Sequence, residues 1–290
     1  MRENKITVGK VFGCFWPLLA AILCQLAVTM AGSFFIGAIS VFLPGLVELT
    51  EDNVVTMVAD AVLGLTAVAT FVTLIMGTVW YQKYRPVQNL SLKQVVNPVL
   101  CVSLFFMGIS MQLLISLCLS AIFPILPQKM TEEYSALIET LIGGNLWLSL
   151  LVTVVLAPLA EELIFRGVIF GKAKKIMPFM AANVVQAVLF GIYHMNLIQG
   201  VYAFVLGILL GVVAEYFHSI WASILLHAFV NGSAELLGLL PESLTETLGG
   251  IVLMAVVAVA LLLISVKLFP SARTKCSENE KFSENSFDEP

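Results

Sequence analysis

An all-α, polytopic integral membrane protein of about eight transmembrane helices is the fold this sequence predicts, and three observations carry it. Apolar runs of about twenty residues recur along the chain, long enough to cross a hydrocarbon core of roughly 30 Å. Hydrophobic residues make up 59% of the 290 and charged residues 12%, whereas a soluble domain carries about 25% charged residues to cover its surface. The basic residues fall in alternate loops, as a chain threaded back and forth through a bilayer requires.

The first span runs from Val11 to Leu43, over-long and expected to tilt or break near Gly32. Arg2, Lys5 and Lys10 precede it in the manner of a signal peptide, but the apolar stretch exceeds an h-region and reads as a retained span. The second runs from Val54 to Trp80 and the third from Pro98 to Leu126. Thr131 to Ile142 is amphipathic, which predicts a helix lying along the outer surface. Leu146 to Phe170, Phe179 to Met195, Gly200 to Phe217, Ile220 to Leu240 and Gly249 to Leu268 complete the eight. From Ser271 to Pro290 the composition turns polar, which predicts a disordered tail. The chain thus divides into N-terminal transmembrane helices (1–145), a helical core with the polar residues described below (146–240), a C-terminal transmembrane helix (241–270) and the tail (271–290).

Charge tests the layout. With eight spans, Arg2, Lys5, Lys10, Lys83, Arg85, Lys93, Lys172, Lys174, Lys175, Lys267, Arg273, Lys275 and Lys281 share one side. The opposite loops hold Glu48, Glu51, Asp52, Glu132, Glu133, Glu139, Glu242 and Glu246 against a single base, Lys129. Basic loops stay in the cytoplasm, so both termini are expected there; a miscount of one span would destroy the separation. The net charge of −4 is small and gives no reason to expect a nucleic-acid partner. Cys14, Cys24, Cys101, Cys118 and Cys276 show neither CxxC pairing nor metal-type spacing. Four lie in apolar runs and read as packing residues, so no disulfide framework is expected.

One base is left over. Arg166 lies inside the fourth span, with Glu161 and Glu162. Each charge near mid-helix costs about 2.5–3.5 kcal/mol on insertion scales, about 8–10 for the three, while the fifteen Leu, Ile, Val and Phe residues of that span return about 5–9. Something other than insertion must account for the charges. Glu162 and Arg166 are four apart, the spacing of an intrahelical ion pair with the acid N-terminal. Glu161 points about 100° away and has no basic partner four residues on. Arg166 then neutralises one carboxylate and leaves the other facing a polar cavity as a base, although a purely structural triad gluing helices together fits the same spacing.

Two further motifs follow. In Phe190-Gly-Ile-Tyr-His194 the ring and the imidazole share a helix face, where a lone histidine is also compatible with a satisfied or interfacial role. In Trp221-Ala-Ser-Ile-Leu-Leu-His227-Ala-Phe-Val-Asn231, His227 and Asn231 are aimed at one place on an otherwise apolar helix. Unpaired polar groups in hydrocarbon are costly, so both should face a shared cavity or water. Glu235 continues that face one turn on, either as a partner behind the site or as an outer-interface acid, the second being the preferred reading. Glu161, His194, His227 and Asn231 together supply a base, two imidazoles and an amide, which suits hydrolysis of an amide bond: a water must lose a proton and an oxyanion needs donors. Glu161 and His227 lie about 12–14 Å from the inner ends of their helices, but His194, in a helix starting near Phe179, lies about 20 Å or more from its own.

Glu161-Glu162-xxx-Arg166, Phe190-xxx-His194 and His227-xxx-Asn231 resemble, in order and type, the signature motifs of the CPBP intramembrane proteases, which include the type II CAAX prenyl endopeptidases and bacteriocin-processing or immunity proteins. The resemblance covers about Leu146 to Leu240; Gly207-Ile-Leu-Leu-Gly211 and Ser219-Ile-Trp-Ala-Ser223 also look like family members. It implies a conical polar cavity inside the membrane. It implies that Glu161 and His194 activate a water, that His227 and Asn231 stabilise the oxyanion, and that Glu162 and Arg166 hold the site together. It also leaves two mechanisms open. Glu161, His194 and His227 could ligate zinc or another divalent metal, or the same residues could act metal-free, since no HExxH is present.

The leading expectation is an intramembrane endopeptidase acting on a membrane-associated or lipidated peptide or protein at the bilayer. A non-proteolytic immunity or peptide-binding protein would keep the fold and bind without cleaving. A secondary transporter would use buried acids and histidines as a proton relay, but the internal repeats and paired broken helices it calls for are not evident.

Overall fold

Helix length and apolarity set the layout. The computed structural model describes residues 8–42, 54–84, 90–142, 144–238 and 247–285, and the described residues form helices and short connections without strands. Helix α1 spans Val8–Phe42 and α2 Val54–Tyr84. The short α3 (Leu92–Val95) leads into α4 (Pro98–Ile122), which a 3₁₀ turn at Phe123–Ile125 connects to α5 (Gln128–Ile142). Then come α6 (Leu146–Ala173), α7 (Phe179–Tyr193), α8 (Leu197–Tyr216), α9 (Ile220–Leu237) and α10 (Leu248–Asn285). Seven of these are long and apolar enough to cross a membrane, which makes the chain a polytopic membrane protein.

The eighth expected span is the exception. With 15 residues, α7 covers about 22 Å, short of a hydrocarbon core of about 30 Å. It ends at His194, and Asn196 caps the returning α8 by accepting from the Gln199 amide. The two helices form a hairpin whose start and finish lie on one side, so the charge parity of the eight-span layout is unchanged.

Two other expectations are corrected. α1 does not break at Gly32; a Cβ there would overlap Leu65 Cδ2, so the glycine admits α2 at close range. α10 runs through Asn285 instead of giving way to a disordered tail at residue 271. Its extension has a tether. Ala272 and Cys276 are buried, the Cys276 thiol donates to the Val95 carbonyl, and Asn97 donates to the Ala272 carbonyl. Residues 286–290 of the expected tail, with Arg2, Lys5, Arg85, Glu48, Glu51, Asp52, Glu242 and Glu246, lie outside the described residues.

In a membrane, helices associate through close approach and hydroxyl bonds, because apolar burial alone does not favour protein over lipid. α4 and α10 do this along a seam: Ser103 and Ser265 each donate to the other's carbonyl (3.1 and 2.8 Å), and seven residues on, Ser110 donates to the Ala258 carbonyl at 2.8 Å. α7 and α8 meet at glycines, where a Cβ on Gly191 would lie 2.6 Å from the Gly200 carbonyl oxygen. Gly108 of α4 lies against α9, where a Cβ would come within 2.6 Å of Phe229 Cβ. The last two of these crossings fix α7 and α9, which bring His194 and His227 to the site.

Candidate active site

α6 carries the first motif, and its backbone is adapted to it. Asn145 caps it, accepting from the Leu148 amide, and is itself held by Asp60 of α2, which accepts from the Asn145 amide. Wide π-type turns run over Leu151–Leu156 and Leu163–Phe170 on either side of the α-helical Ala157–Glu162. Pro158 has no amide hydrogen and disrupts the ladder beside the first of them; such turns recur at functional sites.

Glu162 and Arg166 form the expected pair: Arg166 Nη1 donates to Glu162 Oε1 at 2.8 Å, and both side chains are fully buried. The guanidinium also donates to the Gly207 carbonyl (3.2 Å) and lies 4.5 Å from the centroid of the Phe190 ring. Glu162 has a second task that helical spacing did not reveal. Its Oε1 lies 2.9 Å from His227 Nδ1, and since a carboxylate accepts, Nδ1 carries the proton and Nε2 is turned away. What Nε2 faces is Glu161, whose Oε2 is 3.7 Å away. That gap is too long for a direct hydrogen bond and suits one water bonded to both.

The remaining candidates line the same cavity. It has a volume of about 380 Å³, and Glu161, His194, His227 and Asn231 all contribute to its wall. His194 Nδ1 lies 2.9 Å from the Phe190 carbonyl oxygen, which fixes the proton on Nδ1 and leaves Nε2 as the lone-pair nitrogen. Its ring stands edge-on to Phe190 at 4.8 Å, and Phe190 stands edge-on to His227 at 5.7 Å, so one aromatic ring spaces the two imidazoles. The mismatch in depth is reduced from the other side: α6 runs three residues past Phe170 to Ala173, which deepens Glu161 by about 4.5 Å. Asn231 donates one amide hydrogen to the Thr153 carbonyl at 2.8 Å, leaving the other for the cavity.

The wall holds more than the residues singled out as catalytic, and only Glu235 among these was noted in the sequence. Glu235 is a cavity residue and not only an interfacial acid; its Oε1 accepts from the hydroxyls of Ser149 (3.0 Å) and Thr153 (3.2 Å). Thr66, Thr70 and Gln112 come from α2 and α4, and Tyr134 from α5. The amphipathic α5 therefore turns part of its apolar face to the cavity, not only to the membrane surface. Asn183 and Gln186 support the site from outside it: Gln186 donates to Asn183 and to the same Gly207 carbonyl that receives Arg166. Their signal was present in the sequence, as two polar residues three apart on an apolar helix facing Gly207 and Gly211.

Whether these side chains fit a metal can be judged from their positions. Among the described residues, no group of three or more His, Cys, Asp or Glu side chains is gathered as an ion requires. Glu161, His194 and His227 share the cavity without forming such a set.

Residues 143–233 match the family described as type II CAAX prenyl endopeptidase Rce1-like. The match covers α6 to α9 up to two residues past Asn231, the stretch that holds the three motifs. No curated protein and no solved structure matches the chain.

Proposed function

We propose that this protein is an intramembrane endopeptidase that hydrolyses a peptide bond of a membrane-associated or lipidated substrate with water activated by Glu161 and His194. The observation that carries the reading is the convergence of Glu161, His194, His227 and Asn231 on one cavity enclosed by apolar helices. Glu161 takes the proton from a water held in the gap before His227 Nε2. His194, with its free Nε2, assists as a second base. The imidazolium form of His227 offers Nε2–H to the oxyanion while its Nδ1–H remains bonded to Glu162, and the free amide hydrogen of Asn231 adds a second donor. Glu161 hands the proton it took from water to the departing amine as the C–N bond breaks. These roles are carried by side chains alone. Both termini are placed in the cytoplasm on the charge distribution.

An adjoining apolar groove supports a substrate with a hydrocarbon portion. It has a volume of about 620 Å³, runs between α4 and α8, and shares Ile115, Tyr202 and Leu206 with the polar cavity. A lipid chain or apolar segment in the groove would leave the adjacent peptide backbone at Glu161.

Comparing protein N-termini between cells carrying the wild-type protein and cells carrying Glu161→Ala tests the reading. New N-termini should disappear in the variant, and the purified variant should stay folded while peptide hydrolysis falls by about 10²–10⁴-fold. Unchanged N-termini and retained hydrolysis would end the assignment of Glu161 as base. Partner protection that survives both Glu161→Ala and His227→Ala would favour the non-proteolytic immunity or peptide-binding protein instead. Chelation followed by zinc add-back separates the two mechanisms. Activity indifferent to both is expected, and loss restored by zinc would place an ion among Glu161, His194 and His227.

A further inference from the structure

We infer that the cavity is reached from the face opposite the basic loops, so that the peptide it takes is presented on the extracytoplasmic side of the membrane. The clause about a peptide rests on the proposed peptidase function; the direction of access stands on the fold and the charges.

Charge divides the two faces. At one end of the helices the described residues include Lys10, Lys83, Lys93, Lys172, Lys175 and Lys275, with Glu215 there paired to Lys174. The other end holds Asp60, Glu132, Glu133, Glu139 and Glu235, and its base, Lys129, lies 3.8 Å from Glu133. Basic ends stay in the cytoplasm, so the acidic end is the outer one.

The cavity lies in the outer half. Its wall includes Thr66 from the first half of α2, Leu141 near the end of α5, Gln199 in the first turn of α8 and Gly238 just past α9. All four sit toward the acidic ends of their elements. In the other direction the protein is closed. From Glu162 to Gly171 every residue of α6 is buried, and Phe165 stacks edge-on against Phe190 and Tyr193 at 5.0 and 5.4 Å. A peptide arriving from the basic face would have to part this aromatic layer and the buried Arg166–Glu162–His227 chain. Toward the acidic face, Ala234 and Gly238 are exposed and Glu235 is half-buried. The apolar groove points the same way, since Leu126, Met130 and Leu197 line it where α4 ends and α5 and α8 begin. A lipid-borne substrate would therefore approach from the outer leaflet.

Cysteine labelling on intact cells tests this without any substrate. Ala234→Cys and Lys174→Cys are each treated with a membrane-impermeant maleimide before and after the cells are opened, with the wild-type protein and its five cysteines as the blank. Ala234→Cys should be labelled in intact cells and Lys174→Cys only after opening. Ser135→Cys, on the exposed side of α5, serves as the outer reporter if Ala234→Cys does not accumulate. Labelling of the outer reporter only after opening, its failure to label at all, or labelling of Lys174→Cys in intact cells each overturns the inference. The same pattern is expected in a Glu161→Ala background. External labelling together with undiminished hydrolysis in that background would remove the catalytic assignment and leave the direction of access standing.

Discussion

At the residue scale, Glu162 Oε1 serves two buried donors, Arg166 and His227. Removing a single partner from a buried charged network is costly because the other charge is left in a low-dielectric interior. Arg166→Met should therefore destabilise the protein by about 3–5 kcal/mol, measured by unfolding in detergent. Pairing it with Glu162→Gln removes the stranded charge and should recover much of that stability. It should not recover turnover, because His227 then has no ionic acceptor to set its ring. A double variant as active as wild type would show that Glu162 holds the fold and does not position His227. The pair itself could be read from a four-residue spacing. The bond from Glu162 to His227 could not, because it joins residues 65 apart whose meeting depends on how α6 and α9 cross. Glu235 could not be decided between a partner of the site and an interfacial acid for a similar reason: its helix face was evident, but Ser149 and Thr153, which hold it in the wall, belong to another helix.

At the element scale, small residues decide how closely the functional helices approach. Gly191→Val would press side-chain atoms into the Gly200 backbone, pushing α7 from α8 and displacing His194 three residues on. Turnover should fall sharply while the Arg166–Glu162 pair, on another helix, stays intact. A crosslink between cysteines at 162 and 166 would destroy what it measures, so thermal unfolding against Arg166→Met is the better control. Along the α4–α10 seam, Ser103→Ala should cost about 0.6 kcal/mol, the average for hydrogen bonds between membrane helices, and at most about 1.7. A larger loss would mean the seam is fixed by packing more than by its hydroxyls. The helices themselves were legible because twenty apolar residues in a row leave little choice. Their ends were less so. Composition assigned residues 271–285 to a tail, whereas burial of Ala272 and Cys276 against the α3–α4 junction carries the helix onward.

At the scale of the whole molecule, one end of the helices is basic and the other acidic, and the cavity lies toward the acidic end. The count of spans was nearly legible; α7 fell short because it stops at Tyr193, leaving His194 at its end in the cavity wall, and α8 turns back from Asn196. The walls contributed by α2, α4 and α5 were not legible at all, since the motifs lie in 146–240 and nothing in the earlier helices resembles them. Tyr134→Ala and Tyr202→Ala should change which peptides are cleaved more than how fast the best one is cleaved, since these rings stand edge-on to each other at 6.4 Å over the cavity. Competition between two peptides in one reaction reads the ratio directly, and an unchanged ratio with a uniform loss of rate would contradict it.

Thr66, Thr70, Gln112 and Tyr134 have one more implication. Bond breaking is assigned to α6, α7 and α9, while much of the surface that a bound chain would brush against belongs to a stretch outside the matched region. A peptidase of the proposed kind would then inherit selectivity and reactivity separately. Grafting a different set of leading helices onto the same hydrolytic half should redirect the protein to new peptides without rebuilding its chemistry.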